Sequence, residues 1–252
     1  MGRVIAVASG KGGVGKTTLV SNLSASLARY GQSVIAVDAN ITTSNLGIHL
    51  GVSLFPVTLH DILDGVADVN DALFHHEHGF RIVPGDISIR KLKSFNKRTV
   101  GNTLYKLSDK ADFVLIDTAA GLGKEATEFI RAADELITVT NPNLPAVTDA
   151  LKLNAIAKSH DTVPIGVIIN RIMNHPSEMP AHEISDFLSL PILGKIPEDK
   201  TVHKSVAAKT PVIAYAPKSP AAQHMRSIAA YLIGEEFIPR RSLGHTFFGW
   251  MK

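Results

Sequence analysis

Gly10-Lys11-Gly12-Gly13-Val14-Gly15-Lys16-Thr17-Thr18 decides the fold. It lies between a short apolar run, Val4–Ala8, and an amphipathic segment, Thr17–Tyr30, so it reads as a tight turn from a strand into a helix. Gly10, four residues, then Gly15-Lys16-Thr17 is the spacing of a phosphate-binding loop. Glycines let successive backbone N–H groups turn toward one anion, and the following helix N-terminus adds partial positive charge. Lys16 is expected to reach β- and γ-phosphates, and the Thr17 hydroxyl to complete a Mg²⁺ shell.

The same alternation continues outward from the loop. Val34–Val37, Arg81–Val83, Phe113–Ile116, Leu136–Thr140, Ile165–Ile169 and Ile192–Ile196 are short continuous apolar runs, the pattern of strands covered on both faces. Between most of them lie helical patterns, Thr99–Lys110, Lys124–Ala132, Ala146–Ser159 and Ala181–Leu188, with Ala221–Ile233 after the last run. Strand–helix alternation predicts right-handed crossovers and a single α/β domain over residues 1–234: a mostly parallel sheet flanked by helices on both faces. The sequence changes character at Glu235, and residues 235–252 read as an appended tail.

A chain of 252 residues can bury a large core, and 45% apolar with 19% charged residues predicts a soluble globular protein. There is no cysteine, which excludes disulfides, thiolate metal sites, iron–sulfur clusters and a cysteine nucleophile. A first strand starting almost at Met1 predicts no signal peptide, and no apolar run reaches the roughly 18 residues of a membrane span. The expected location is cytoplasmic. Arg240, Arg241 and Lys252, in a stretch without acids, account for the whole formal charge of +3. The body is neutral and carries no compositional footprint for nucleic acid.

Lys11, directly after the first glycine, completes a KGGxGKT pattern that resembles the deviant Walker A motif of the MinD/ParA superfamily of ATPases. The implied fold is a single-domain P-loop NTPase. In that family the corresponding lysine crosses a dimer interface to the partner's phosphates. The resemblance therefore implies ATP and Mg²⁺ sandwiched in a homodimer; taken alone, Lys11 is a solvated loop lysine. Phe113-Val114-Leu115-Ile116-Asp117 has the shape of a Walker B strand, and an aspartate at a strand's C-terminal end can hold a Mg²⁺-bound water. Thr118-Ala119-Ala120-Gly121-Leu122-Gly123 resembles the family's switch II, with Ala119 where proline is usual and the Gly121 N–H implied as a reporter of the γ-phosphate.

Val37-Asp38-Ala39-Asn40, running on to Asn45, resembles switch I, and the resemblance assigns Asp38 to the magnesium side. Family members usually carry an aspartate, linked to placing the attacking water, where this chain has Asn40. Asparagine has no charge and cannot take a proton, but it keeps a carbonyl acceptor, and phosphoryl transfer depends mostly on positioning. Slow hydrolysis is expected rather than none; the alternative is a nucleotide-binding scaffold that does not hydrolyse.

Asn170-Arg171 follows the strand Ile165–Ile169, where the family has an Asn-Arg pair whose asparagine binds adenine. One side-chain amide can accept from adenine N6 and donate to N7. The plainer reading of Asn170 is a strand-end cap. Pro197-Glu198-Asp199 resembles the family loop that borders the base. No Asn-Lys-x-Asp guanine pattern follows a strand, so ATP is favoured over GTP.

In the tail, Leu243, Phe247, Trp250 and Met251 share one face of a helix, with basic residues at both ends. Such a segment can lie in a membrane interface and meet anionic headgroups. It resembles the C-terminal membrane-targeting helix of MinD proteins in type and place, though not residue by residue. A tail that packs on its own body or on a partner through Phe247 and Trp250 is the alternative. His75-His76-Glu77-His78 reads as a solvated polar loop rather than a zinc site. Arg90, Lys91, Lys93, Lys97 and Arg98, around Phe95, read as a solvated helix end rather than a nucleic-acid contact, and Asp149 and Lys152 as helix-surface charges.

The resemblance covers roughly residues 3–234. It implies an ATPase switch, peripheral on the inner face of the cell membrane, that cycles between a free or ADP-bound monomer and an ATP-bound dimer. Such a switch positions other proteins, in cell division or elsewhere, with an unidentified regulatory protein as partner. Lys11, Lys16, Thr17, Asp38 and Asp117 are expected to carry its chemistry. A ParA-like ATPase for DNA segregation competes, but needs a basic patch that the neutral body lacks.

Overall fold

In the computed structural model, which describes residues 1–52, 55–86 and 97–237, β1 (Arg3–Ala8) enters the glycine loop and α1 (Lys16–Arg29) leaves it. β2 (Val34–Ala39) follows, then two short helices, α2 (Leu46–His49) and α3 (Leu59–Leu63), and the strands β3 (Phe74–His75) and β4 (Arg81–Val83). Next come α4 (Lys97–Ser108), β5 (Phe113–Thr118), α5 (Lys124–Arg131), β6 (Glu135–Thr140), α6 (Leu144–Lys158), β7 (Val163–Ile172), α7 (Ala181–Leu188) and β8 (Ile192–Pro197). The helices α8 (Lys200–Ala207), α9 (Val212–Tyr215) and α10 (Pro220–Leu232) complete the described chain.

Among the described residues, eight strands form one sheet in the order β3-β4-β2-β5-β1-β6-β7-β8. Neighbours are parallel except β3 and β4. Alternate strand residues feed two cores. Phe113 and Leu115 of β5 pack with Leu19, Leu23 and Leu27 of α1 and Met225 and Ile228 of α10. Val114 and Ile116 pack on the other face with Leu104, Phe129, Ile130 and Leu153 of α4, α5 and α6. Each fully buried leucine or isoleucine stabilises the fold by about 1.5–3 kcal/mol, and β2 and β5 are buried along their whole length. The expected sheet flanked on both faces is therefore what the chain forms.

The strands outrun their apolar stretches where polar residues continue the ladder. β2 takes in Asp38, β5 takes in Asp117 and Thr118, and β7 runs through Asn170 and Arg171 rather than stopping before them. α6 starts two residues before the apolar pattern suggests, because the Asn143 side chain accepts from the Ala146 N–H at 3.0 Å and Pro145 suits a first turn. At the sheet edge an expectation fails. His75 belongs to β3, and His76 is buried: its N–H donates to the Phe80 carbonyl at 2.9 Å and its ring lies 4.8 Å from that of Phe80. The fold-back of Phe80 onto the edge of the sheet, not solvation, accounts for that histidine.

Parallel strands put every loop after a strand at the same edge of the sheet. The glycine loop leaves β1 at the centre of that edge, flanked by the ends of β5 and β6. Among the described residues no helix is long and apolar enough to cross a membrane. The tail residues Leu243, Phe247, Trp250 and Met251, and Arg90, Lys91, Lys93 and Phe95, lie outside the described residues.

Candidate nucleotide site

A cavity of about 660 Å³ opens at that edge, lined by the glycine loop at one end and by Asn170, Pro197, Glu198, Val202 and Met225 at the other. Gly13 and Gly15 have φ of +76° and +100°, a region that side chains rarely adopt. A Cβ on Gly15 would lie 2.4 Å from Asn170 Nδ2, and one on Gly10 would lie 2.3 Å from Asp149 Cβ. Between these glycines, Gly12 and Val14 complete the turn, and Lys16, Thr17 and Thr18 open α1. Lys16 is buried, and its Nζ donates to Ser9 Oγ at 3.0 Å; that hydroxyl donates to the Lys11 carbonyl at 2.6 Å. Burial lowers the Lys16 pKa, and the negative charge of Asp117 opposes this.

Strand register sets Asp38 beside Asp117, and Asp117 beside Val7, at the mouth of the loop. Both acids are buried. Asp38 is well supplied: its Oδ2 accepts from Ser44 Oγ at 2.6 Å, Leu46 N at 2.9 Å and Asn45 N at 3.0 Å, and its Oδ1 from Asn40 N at 3.3 Å. The acid thereby pins the switch I turn to the start of α2. Neither Asp117 oxygen accepts a hydrogen bond of ordinary geometry. Burial first, then the charge of Asp38, raises its pKa to about 7, and the nearby Thr17 hydroxyl and Lys16 ammonium pull the other way. A buried carboxylate beside a hydroxyl is a hard-oxygen donor set that fits Mg²⁺.

The switch loops are tied down. The Gly121 N–H, expected at a γ-phosphate, here donates to the Ser9 carbonyl at 3.0 Å, with φ +85°. Asn40 lines the cavity, and its Oδ1 accepts from Thr43 Oγ1 at 3.0 Å. Thr42 donates from its N–H and its hydroxyl to Glu125, at 3.1 and 2.8 Å.

At the far end, Asn170 Nδ2 donates to the Val14 carbonyl at 2.6 Å, so the residue braces the loop as well as facing the cavity. Arg171, at φ +61°, donates to Gly13 O at 3.1 Å and to Glu198 Oε2 at 2.9 Å. Glu198 also meets His203 Nε2 at 2.9 Å. Burial alone would raise the Glu198 pKa, but His203 and Arg171 outweigh it and hold the carboxyl below its ordinary range. Asp199 caps α8, accepting from Thr201 N at 2.8 Å. Its carboxylate therefore braces the wall of the cavity rather than reaching into it.

The chain matches the CobQ/CobB/MinD/ParA nucleotide binding domain over residues 5–212. It belongs to that family. An uncharacterized ATP-binding protein of Methanocaldococcus jannaschii is 40% identical over 237 residues, which span 94% of this chain and 90% of the relative. The septum site-determining protein MinD of Pyrococcus horikoshii, solved with Mg-ADP, is 34% identical with a TM-score of 0.88, covering 92% of this chain and 96% of that one. The MinC:MinD cell division protein complex of Aquifex aeolicus includes a chain 29% identical with a TM-score of 0.85, covering 95% and 98%. Within the MinD/ParA ATPase superfamily the chain is a MinD-type member.

Several partners around the glycine loop and the switches were not legible in the sequence. Asp149, expected to be a helix-surface charge, packs against Gly10, and its Oδ2 lies 3.8 Å from Lys11 Nζ. The cause is long-range: β6 lies next to β1, so the start of α6 passes over the glycine loop. Lys152 extends the pair, 3.2 Å from Asp149 Oδ1. Glu125 sits in the first turn of α5, and only the fold brings Thr42 to it. A helix-start acid just after switch II was the available signal.

Proposed function

We propose that this chain is an ATP-dependent dimerising switch. Two copies close over Mg-ATP, and the dimer holds to an anionic membrane surface and positions partner proteins, such as those of cell division, until slow hydrolysis separates it. The observation that carries the reading is Lys11. It stands at the mouth of the loop with 44% of its side chain exposed, restrained by one ion pair of 3.8 Å. A half-exposed pair of that length contributes at most about 1 kcal/mol, so Lys11 can leave Asp149 for the phosphates of a second copy at small cost.

Gly10 to Thr18 then cradles the triphosphate through its N–H groups, and Lys16 exchanges Ser9 for the phosphates. Thr17 and Asp117, with Asp38 behind, hold Mg²⁺, which neutralises charge on the transferred phosphoryl group. Asn40 orients the attacking water through its carbonyl and takes no proton, which keeps turnover slow. Gly121 follows the γ-phosphate by giving up Ser9. Asn170 reads adenine, with Arg171, Pro197, Glu198 and Asp199 shaping the border of the base. Residues 1–234 form the ATPase domain and 235–252 the tail. One amphipathic tail binds weakly, whereas two on a dimer gain by avidity, so nucleotide state controls membrane residence.

Co-sedimentation with anionic vesicles tests this, using the full chain and a chain lacking residues 240–252, each with ATP, ADP and no nucleotide. ATP-dependent pelleting that requires the tail is expected. Equal pelleting in all three states refutes the switch, and ATP-dependent retention on duplex DNA instead would favour the DNA-segregation reading. ADP release from wild type and Asn40→Asp tests the slow step; equal rates would remove Asn40 as its cause.

A further inference from the structure

Glu125 joins the two switches. Its Oε1 accepts from the Thr42 N–H at 3.1 Å and its Oε2 from the Thr42 hydroxyl at 2.8 Å. The residues are 83 apart in sequence. Thr42 follows Asn40 by two positions, and Asn40 is fixed in turn by the Thr43 hydroxyl at 3.0 Å. Glu125 follows Gly121 by four positions, in the first turn of α5. A bidentate grip fixes the orientation of a peptide unit as well as its place. Both Glu125 and Asn40 line the cavity near the glycine loop; Glu125 brings a carboxylate there and Asn40 brings none.

We propose that Glu125 is a positioning residue for ATP hydrolysis: it clamps Thr42, and so holds Asn40 over the phosphate end of the cavity. This rests on the ATPase reading. An amide orients a water through one neutral acceptor, so its placement has to come from the rigidity of the loop that carries it. The clamp supplies that rigidity. It also makes any movement of the start of α5 a movement of Asn40.

The test uses the full chain and the variants Glu125→Ala, Glu125→Gln, Thr42→Val and Glu125→Ala/Thr42→Val. ATP turnover, binding of a non-hydrolysable ATP analogue and hydrogen exchange of the Thr42 amide are measured on each. Glu125→Ala is expected to lower kcat about tenfold with KM and analogue affinity within about twofold, since it loosens alignment and not binding. Exchange of the Thr42 amide should speed up by about tenfold in the nucleotide-free protein. Glu125→Gln still accepts from the Thr42 N–H and can donate to its hydroxyl oxygen, so it should keep at least about half of the wild-type kcat. Thr42→Val added to Glu125→Ala should cost nothing more. The proposal is overturned if Glu125→Gln falls as far as Glu125→Ala, if Glu125→Ala leaves kcat unchanged, or if its Thr42 amide exchanges at the wild-type rate. A wild type that shows no turnover, yet protects Thr42 through Glu125, overturns the ATPase reading itself and the proposal with it.

Discussion

Asp117→Asn should stabilise the empty protein while weakening its hold on Mg-nucleotide. Asp117 is buried beside Asp38, without a hydrogen bond of ordinary geometry, and its pKa is about 7 against an ordinary 3.8. The native chain therefore holds a proton that the unfolded chain releases. Stability falls as pH rises from about 4 to about 7, and stays low above that. The difference corresponds to about 4 kcal/mol for a single site. The two carboxyls share that cost, and the asparagine amide needs partners in the same space, so about 2 kcal/mol is the expected net gain at pH 8. For a domain of this size that raises Tm by about 4–8 °C. Near pH 4, where the native carboxyl is protonated and the unfolded one only about half ionised, the gain should shrink to well under about 1 kcal/mol. Mg-ADP at a hundred times its Kd adds about 2.7 kcal/mol to wild type, and most of this should be lost in the variant. Thermal unfolding at pH 4 and pH 8, with and without Mg-ADP, measures all of these. An Asp117→Asn protein that melts below wild type at pH 8, or that keeps the full Mg-ADP gain, would refute the reasoning.

Gly15→Ala sets a methyl group 2.4 Å from Asn170 Nδ2 at a φ of +100°, so ATP affinity by calorimetry should fall at least about tenfold; unchanged affinity would contradict the loop geometry. Asp149→Asn removes two part-exposed ion pairs, to Lys11 and Lys152, so Tm should change by no more than about 2–4 °C, while the ATP-dependent dimer, measured by sedimentation, tightens because Lys11 is released. A weaker dimer would count against the parked lysine. Asn170→Ala removes the bond to the Val14 carbonyl and should narrow the preference for ATP over GTP in competition binding; an unaltered preference would place base recognition elsewhere.

The fold was readable because its strands are built on continuous apolar runs and its loop motif is local. Continuous runs such as Phe113–Ile116 announce strands covered on both faces, and the glycine spacing sets the register of the loop without help from the rest of the chain. The ends were less readable, since Asp38, Asp117 and Asn170 extend ladders by backbone pairing that side-chain polarity hides. The edge strand Phe74–His75 is too short to show a period, and His76 is buried by Phe80 folding back on it. At the site, Lys16 and Thr17 follow from spacing, whereas Lys11 is singled out only by resemblance. The partners Asp149, Glu125 and Ser9 were not legible, because each is set by strand order or by loop closure rather than by neighbours in sequence. Asp38 came from resemblance, and only the structure shows its carboxylate holding the switch I turn.

Sedimentation velocity of the full chain with Mg-ATP and with Mg-ADP, for wild type and Lys11→Ala, tests the central claim most directly. With Mg-ATP the wild type should move from the mass of one chain, 27.0 kDa, to twice that, and with Mg-ADP it should not. Lys11→Ala should still take up ATP by calorimetry and remain a single chain. A wild type that binds ATP yet never pairs, or a Lys11→Ala protein that pairs as readily, would contradict the account.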